Sequence, residues 1–413
     1  MYTERDAFLA AIPDAGHRIA TLSEAYRAAW GSEPTHVSSG PGRTEIIGNH
    51  TDHNRGQVVA AAIQLDALAV AGPSPDGVLR LRSQGWDREF SVARDAAAEQ
   101  MSELHDTARL MAGVADGMRT HGLPAPAYQA MLESRVAPGS GLSSSAAFEV
   151  ALAGVHLGLA GAAATDPVLV ARAGQHAENH FMGKPSGLMD QMASAAGSAV
   201  AIDFHDPVQP HYHQLNLDLH AQGFRLVVVN TGGDHASLTP QYAAVPAEMR
   251  CVAGSLGVDV LRETSRHELL SRLDGVREAC GDRAVLRAMH FFDEQERVAA
   301  LVDAVDSRHH EQVLRLMQES GTSSWTLLQN VLAEGSRREQ PIALGIEITR
   351  SYLAARGATG ACRVHGGGFA GTILAVVPEQ LAEEYHSVMN RAFGAGSVTE
   401  LQVRKQGLLF AEL

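Results

Sequence analysis

The stretch PGSGLSSSAAFEVA, residues 138–151, places a short glycine loop and three consecutive serines ahead of a run with helical character. Such a loop leaves backbone N–H groups free to point at an anion, and a helix opening behind it adds the positive end of its dipole. Ser143, Ser144 and Ser145 are also good helix N-caps in their own right. The stretch by itself therefore leaves two readings open, a cap and a phosphate seat. The alternation over 128–136 predicts a strand before it, which is the setting an anion-binding turn needs. No GK[ST] follows the glycines, so this is not a Walker A loop.

Upstream, SSGPGRTEIIGNHTDHNRG (38–56) sets four glycines among Arg43, Glu45, His50, Asp52 and His53. So many ionisable groups in a glycine-rich turn are costly to crowd together unless they face a ligand or water. His50, Asp52 and His53 are possible metal ligands, but neighbouring residues on a strand point to opposite faces, which argues against convergence of Asp52 and His53. Around this segment the periodicity predicts a helix over 15–30 ending at Gly31, a β run over 57–72, two strands within 79–92 and a helix over 107–120.

Downstream, the helix behind the serines runs to about 160, and a second, over 166–182, carries Glu178. GKPSGLMDQMASAAG (183–197) puts Asp190 in an apolar helical run, where a carboxylate is a candidate catalytic group, a helix cap or a solvated side chain. After a strand at 198–204, the connection 205–222, with His205, His211 and His213, reads as an exposed linker and not as a metal site. The second half opens with a buried strand over 224–230 and a helix from about Pro246. Helices dominate 283–356, and two strands flank the triple-glycine turn of GACRVHGGGFAGTILAVVP (360–378); a helix and a strand follow. Mixed strands and helices in both halves make an α/β or α+β protein.

A chain of 413 residues exceeds one ordinary core, so two domains are expected, with a junction at 205–222. The net charge of −14 argues against wrapping nucleic acid or lying on an anionic membrane. Any anionic substrate must be held locally, by backbone amides, helix ends, a metal ion or a few arginines. Cys251, Cys280 and Cys362 are odd in number and far apart, which fits a reducing compartment without a disulfide framework. No long apolar segment suggests a membrane span or leader, and a cytoplasmic location is expected.

PGRTEIIGNHTD, PGSGLSSSAA, GLMDQ and HGGGFAGT, in this order from about 35 to 378, resemble the galactokinase branch of the GHMP small-molecule kinases. The resemblance implies an α+β fold of two domains with the active site between them: an S5 domain 2-like N-terminal domain (1–205) and a ferredoxin-like C-terminal domain (222–413). It implies ATP and Mg²⁺, with Gly139, Ser140, Gly141, Leu142, Ser143, Ser144 and Ser145 around the phosphates and Ser144 and Glu178 on the metal. Arg43 and Asp190 match the catalytic pair beside the sugar's anomeric hydroxyl. Glu45, Asn49, His50, Asp52, Gly187 and Tyr242 fall on the sugar side. The implied activity is phosphorylation of galactose to galactose 1-phosphate by a monomer or small homo-oligomer whose partners are the sugar and ATP, with no nucleic acid or membrane.

The departures are specific. Where the family's signature reads G-R-x-N and G-E-H-T-D-Y, this chain reads G-R-T-E and G-N-H-T-D-H, so Glu45, Asn49 and His53 replace Asn, Glu and Tyr. The changes fall on the sugar side more than on the phosphate loop. They motivate the alternative of another hexose, an amino sugar or a polyol as acceptor. A sensor that binds sugar and ATP without catalysis is a second alternative, opposed by the intact serine run and Asp190.

Overall fold

The computed structural model describes residues 1–98, 103–184, 186–233 and 238–413. The chain runs α1 (Arg5–Ala11), α2 (Ala15–Trp30), β1 (His36–Ile47), β2 (Gln57–Pro73), β3 (Val78–Ser83), β4 (Glu89–Ala93), α3 (Asp106–Thr120) and β5 (Tyr128–Ser134). It continues through α4 (Ser144–Leu159), α5 (Pro167–His176), α6 (Met189–Ala196), β6 (Ala199–Asp203), β7 (His211–Leu215), β8 (Phe224–Gly232), α7 (Thr239–Ser255), α8 (Arg266–Ser271) and α9 (Leu273–Cys280). Then come α10 (Asp282–Asp306), α11 (His310–Ser323), α12 (Pro341–Ala354), β9 (Ala361–His365), β10 (Gly371–Pro378), α13 (Ala382–Phe393), β11 (Val398–Leu401) and β12 (Leu409–Glu412).

Two compact units result: Met1–Arg43, Ala61–Ser198 and Val403–Leu413 form the first, and Thr44–Ala60 with Ala199–Gln402 the second. They are discontinuous, unlike the contiguous division at 205–222 expected from the sequence. Segment 44–60 belongs with the second unit, and the last strand returns to the first. Hydrophobic patterning reports which face of a strand is buried, not which sheet it joins.

In the first unit β12 pairs antiparallel with β1, β2 with β5 and β4 with β3, while β3 and β5 run parallel. The largely apolar run of β2 is explained by burial on both faces. Leu68 and Val70 pack with Ile19, Leu22 and Tyr26 of α2, and Ala69 and Ala71 join Met111, Val114 and Val150 of α3 and α4. Residues 38–47, read from their glycines as part of a turn, are strand β1. The glycines serve close packing: a Cβ at Gly40 would lie 2.4 Å from the Ala147 carbonyl oxygen and 2.6 Å from the Ala151 nitrogen. Helix α4 thus rests on the backbone of the strand that ends, in this unit, at Arg43.

The second unit holds a four-stranded antiparallel sheet of order β11-β8-β10-β9. Val227, Val229, Val364 and Ile373 of this sheet pack with Ile342 and Ile346 of α12 and Tyr385 of α13. A helical core of α7, α9 and α10 gathers Val245, Met249, Val276, Ala288 and Phe291. The segment 205–222 is not simply a linker, since it contains β7, which pairs antiparallel with β6. Helix α7 begins at Thr239, with Pro240 in its first turn and Pro246 in its interior, so the start signal is Pro240 and not Pro246.

The cysteines require a correction. Cys251 on α7 and Cys280 on α9 are joined by a disulfide with Cα atoms 5.9 Å apart, and Cys362 is free and buried. Sequence spacing does not reveal that the two helices meet on their cysteine-bearing faces. No helix among the described residues is long and apolar enough to cross a membrane.

Candidate functional site

In the first unit the glycine loop turns at Gly139 and Gly141 (φ 71° and 73°) and enters α4 through Ser143, itself at φ 59°. Buried Leu142 anchors it, its carbonyl accepting from the Arg43 N–H at 3.0 Å, while Gly139 is exposed and Ser140 and Gly141 are half-buried. The serines are not spent on capping, because the N-cap Ser143 makes no side-chain cap. Its hydroxyl donates to Asp190 Oδ2 at 2.5 Å, and Ser145 donates to Glu178 Oε1 at 2.9 Å. The amides opening a 16-residue helix are thus left for an external anion, with the serine side chains tied to two carboxylates.

Arg43 and Asp190, 147 residues apart in sequence, form a bidentate pair: Nε donates to Oδ1 and Nη2 to Oδ2, both at 2.7 Å. Arg43 Nη1 donates to the Gly141 carbonyl at 2.6 Å, which links the guanidinium to the loop. Burial pushes the Asp190 carboxyl up, but the Arg43 charge, its hydrogen bonds, Ser143 and Lys184 outweigh this and hold it below the usual carboxylate range. The side chain keeps 31% of its surface exposed, and both its oxygens are held in place by hydrogen bonds from Arg43 and Ser143.

Glu178 lies on a widened turn, Ala177–Phe181, that extends α5 and aims it inward. Its Oε1 accepts from Ser145 and from the Lys184 ammonium at 3.0 Å. Of the serines, Ser145 and not the expected Ser144 is the one whose hydroxyl meets Glu178. A carboxylate and a hydroxyl, already holding one cationic group, fit a hard divalent ion whose remaining ligands are phosphate oxygens and water. Gln191, beside Asp190, donates to Glu149 Oε2 at 3.0 Å and reaches Glu178 Oε2 at 3.5 Å. Burial, then the Glu178 charge, pushes the Glu149 carboxyl well above its ordinary range. No local pattern marks Glu149, Gln191 or Lys184 as site residues, beyond the Gln of GLMDQ and the Glu of FEVA. Gly187 is half-buried two residues ahead of α6.

In the second unit the segment after Thr44 is held by buried polar contacts. Glu45 pairs with Arg363 of β9 at 2.7 Å, and the Asn49 amide donates to Glu45 Oε1 at 3.0 Å and to the Gly366 carbonyl at 2.8 Å. His50 Nε2 donates to the Gly367 carbonyl at 2.9 Å, and the Tyr242 hydroxyl to that of Gly368 at 2.9 Å. Burial lowers the His50 pKa and pushes the Tyr242 phenol up to about 12. Asp52 and His53 lie on a helical turn, Asp52–Asn54, not on a strand. Asp52 Oδ1 accepts the His53 N–H at 3.0 Å, and its side chain is 14% exposed. Residues 234–237, within the TGGDHASLTPQY stretch ending at Tyr242, lie outside the described residues. Among the described residues no group of three or more His, Cys, Asp or Glu side chains is arranged to hold a metal.

The galactokinase galactose-binding signature matches residues 24–73, and the GHMP kinases N terminal domain matches residues 108–198. A galactokinase of Streptomyces coelicolor is 34% identical over 388 residues, covering 92% of this chain and 94% of its own. A Homo sapiens galactokinase is 29% identical, covering 90% and 91%. The solved structure of Lactococcus lactis galactokinase complexed with galactose superposes with a TM-score of 0.79 at 20% identity, over 94% of this chain and 99% of that one. A mevalonate kinase gives 0.62 at 11% identity, over 90% and 99%. The structures show a shared GHMP kinase fold, and identity sustained along nearly the whole length places the sequence more narrowly: the chain belongs to the galactokinase family.

Proposed function

We propose that the protein transfers the γ-phosphoryl group of ATP to the anomeric hydroxyl of galactose, giving galactose 1-phosphate and ADP. The observation that carries the reading is the joining of Ser143, at the mouth of the anion loop, and Arg43 on the one carboxylate of Asp190. Phosphoryl transfer asks chiefly for positioning and for positive charge around the transferred group. The loop amides and the α4 N-terminus supply this for ATP, and Arg43 brings the charge to the acceptor. Asp190, held ionised, accepts the sugar hydroxyl's hydrogen bond and orients it. As a weak base it takes the proton late, when the oxygen is already bonding to phosphorus.

Ser145 and Glu178 would hold Mg²⁺, which when bound neutralises the phosphate charge; Ser144, one residue earlier, is left to the phosphates. Asp52, His50, Tyr242 and Gly187 are the proposed sugar side. Incubation with ATP, Mg²⁺ and galactose is expected to release ADP, and Asp190→Asn to abolish the release. Normal turnover by that variant would remove Asp190 from the mechanism. A second acceptor reading, another hexose, an amino sugar or a polyol, is motivated by Glu45, Asn49 and His53, and a panel of sugars in the same assay separates the two.

A further inference from the structure

Three of the side chains expected on the sugar share an unexpected feature in the second unit. Asn49, His50 and Tyr242 donate, in order, to the successive carbonyls of Gly366, Gly367 and Gly368. Asn330, which no motif marks, donates to Asn49 Oδ1 at 2.7 Å and to the Gly367 carbonyl at 3.1 Å. Its own carbonyl accepts the Phe369 N–H at 2.5 Å. Arg363, on the strand leading into the turn, pairs with Glu45 and donates to the Ile46 carbonyl at 2.8 Å.

Asn49 is 1% exposed and lies inside this chain of groups. Its Nδ2 is directed at the Glu45 carboxylate and the Gly366 carbonyl, both acceptors, and its Oδ1 is met by the Asn330 amide. Its backbone carbonyl accepts from His290 Nε2 at 3.0 Å. The two donor hydrogens of the amide and one acceptor position are thus in use, which leaves little of the side chain for a substrate hydroxyl. The glycines make the arrangement possible. A Cβ at Gly368 would lie 2.2 Å from the Asn330 carbonyl oxygen, and one at Gly367 would lie 2.5 Å from the Tyr242 ring.

We infer that Asn49 is a positioning residue and not a sugar ligand: with Glu45, Arg363 and Asn330 it forms a buried clamp that sets the triple-glycine turn 366–368. The clamp also accounts for the paired departure from the family signature. The carboxylate usual at 49 stands at 45, where Arg363 neutralises it, and the amide usual at 45 stands at 49, where two acceptors need a donor. Specificity follows from where the clamp holds the turn, not from a bond between Asn49 and one hydroxyl.

The inference rests on the proposed sugar kinase activity, and its test separates the two. Wild type, Asn49→Ala, Asn330→Ala and the double variant are assayed with ATP and with galactose and its 2-, 3-, 4- and 6-deoxy analogues, and thermal unfolding is recorded for each. The clamp predicts that Asn49→Ala lowers kcat/KM for every sugar by a common factor, leaving the galactose-to-analogue ratios within about twofold, whereas loss of a direct bond would collapse one ratio by roughly tenfold or more. It also predicts that Asn330→Ala gives the same profile and that the two changes are non-additive in Tm. Asn49→Glu, which restores the family residue, is expected to lose at least about tenfold in kcat/KM for all sugars, because a carboxylate would face Glu45 and the Gly366 carbonyl. Adding Glu45→Gln, which restores a donor, recovers part of that loss.

Collapse of a single ratio in Asn49→Ala, or a gain toward galactose in Asn49→Glu, overturns the inference. Should Asn49→Ala not fold, Asn49→Asp, which keeps the size and removes the donor, is read in the same panel. A wild type that releases no ADP with any sugar overturns the kinase reading instead, and the Tm cycle still reports on the clamp.

Discussion

Asp190 is a carboxylate whose charge is decided by one neighbour. Burial alone would raise its pKa; Arg43, with help from Ser143 and Lys184, brings it below the ordinary value. Its contribution to stability is therefore complete above the unfolded carboxylate value of about 3.9 and is lost only as pH falls through the lower native one. The acid limb of kcat/KM attributable to Asp190 is expected below about pH 4. In Arg43→Ala, burial acts with its main opponent removed and the limb moves upward, to or above the ordinary value. An unchanged midpoint in the pH–rate profile would show that Asp190 is not the titrating group. The serines divide the remaining work: Ser145→Ala is expected to raise the Mg²⁺ concentration for half-maximal rate roughly tenfold. Ser143→Ala should lower kcat with little change in that requirement, since Ser143 touches Asp190 and not Glu178.

At the scale of elements, close approach and covalent ties carry the testable consequences. Helix α4 sits on β1 because residue 40 has no side chain, and the atoms a Cβ would strike are backbone atoms that cannot swing away. Gly40→Ala is expected to cost about 1–3 kcal/mol, read as a fall in Tm. By contrast, Gly254 within α7 meets nothing within 4 Å of an added Cβ, and Gly254→Ala should stabilise by roughly 0.5–1 kcal/mol. The disulfide between α7 and α9 closes a segment with a sequence separation of 29. Reduction is expected to cost about 3 kcal/mol, and Cys280→Ser to give the same loss of Tm with no further response to reductant.

Across the molecule, buried neutral histidines set the response to acid. Burial lowers His156 in the first unit to about 4 and His290 in the second to about 3, in each case against a partly compensating backbone hydrogen bond. His50 is lowered in the same direction. In the unfolded chain these rings take up protons below about pH 6.5, so there the unfolded state binds more protons than the native state and stability falls with acidification. Denaturant midpoints are expected to decline between about pH 6.5 and 4, ahead of most carboxylate titration. His156→Gln should remove the equivalent of up to one proton from that slope, and an unchanged slope would count against a neutral buried ring at 156.

Much of this protein is determined locally. The loop at 139–145, the helix behind it, the apolar β2 and the strand pair around the triple glycine are legible because backbone freedom and hydrophobic period act over a few residues. Arg43 and Asp190 stand out as polar groups in glycine-rich or apolar settings, while Glu178 is marked only by the family resemblance. Tertiary structure alone decided which groups meet: Ser143 with Asp190, Ser145 with Glu178, Cys251 with Cys280, and Asn330 with Asn49 across 281 residues. It also decided that 38–47 is a strand and that the chain ends in the unit where it began. A hydrogen bond or a close packing contact depends on distances of a few tenths of an ångström between groups far apart in the chain, and no local pattern of residue types encodes that distance.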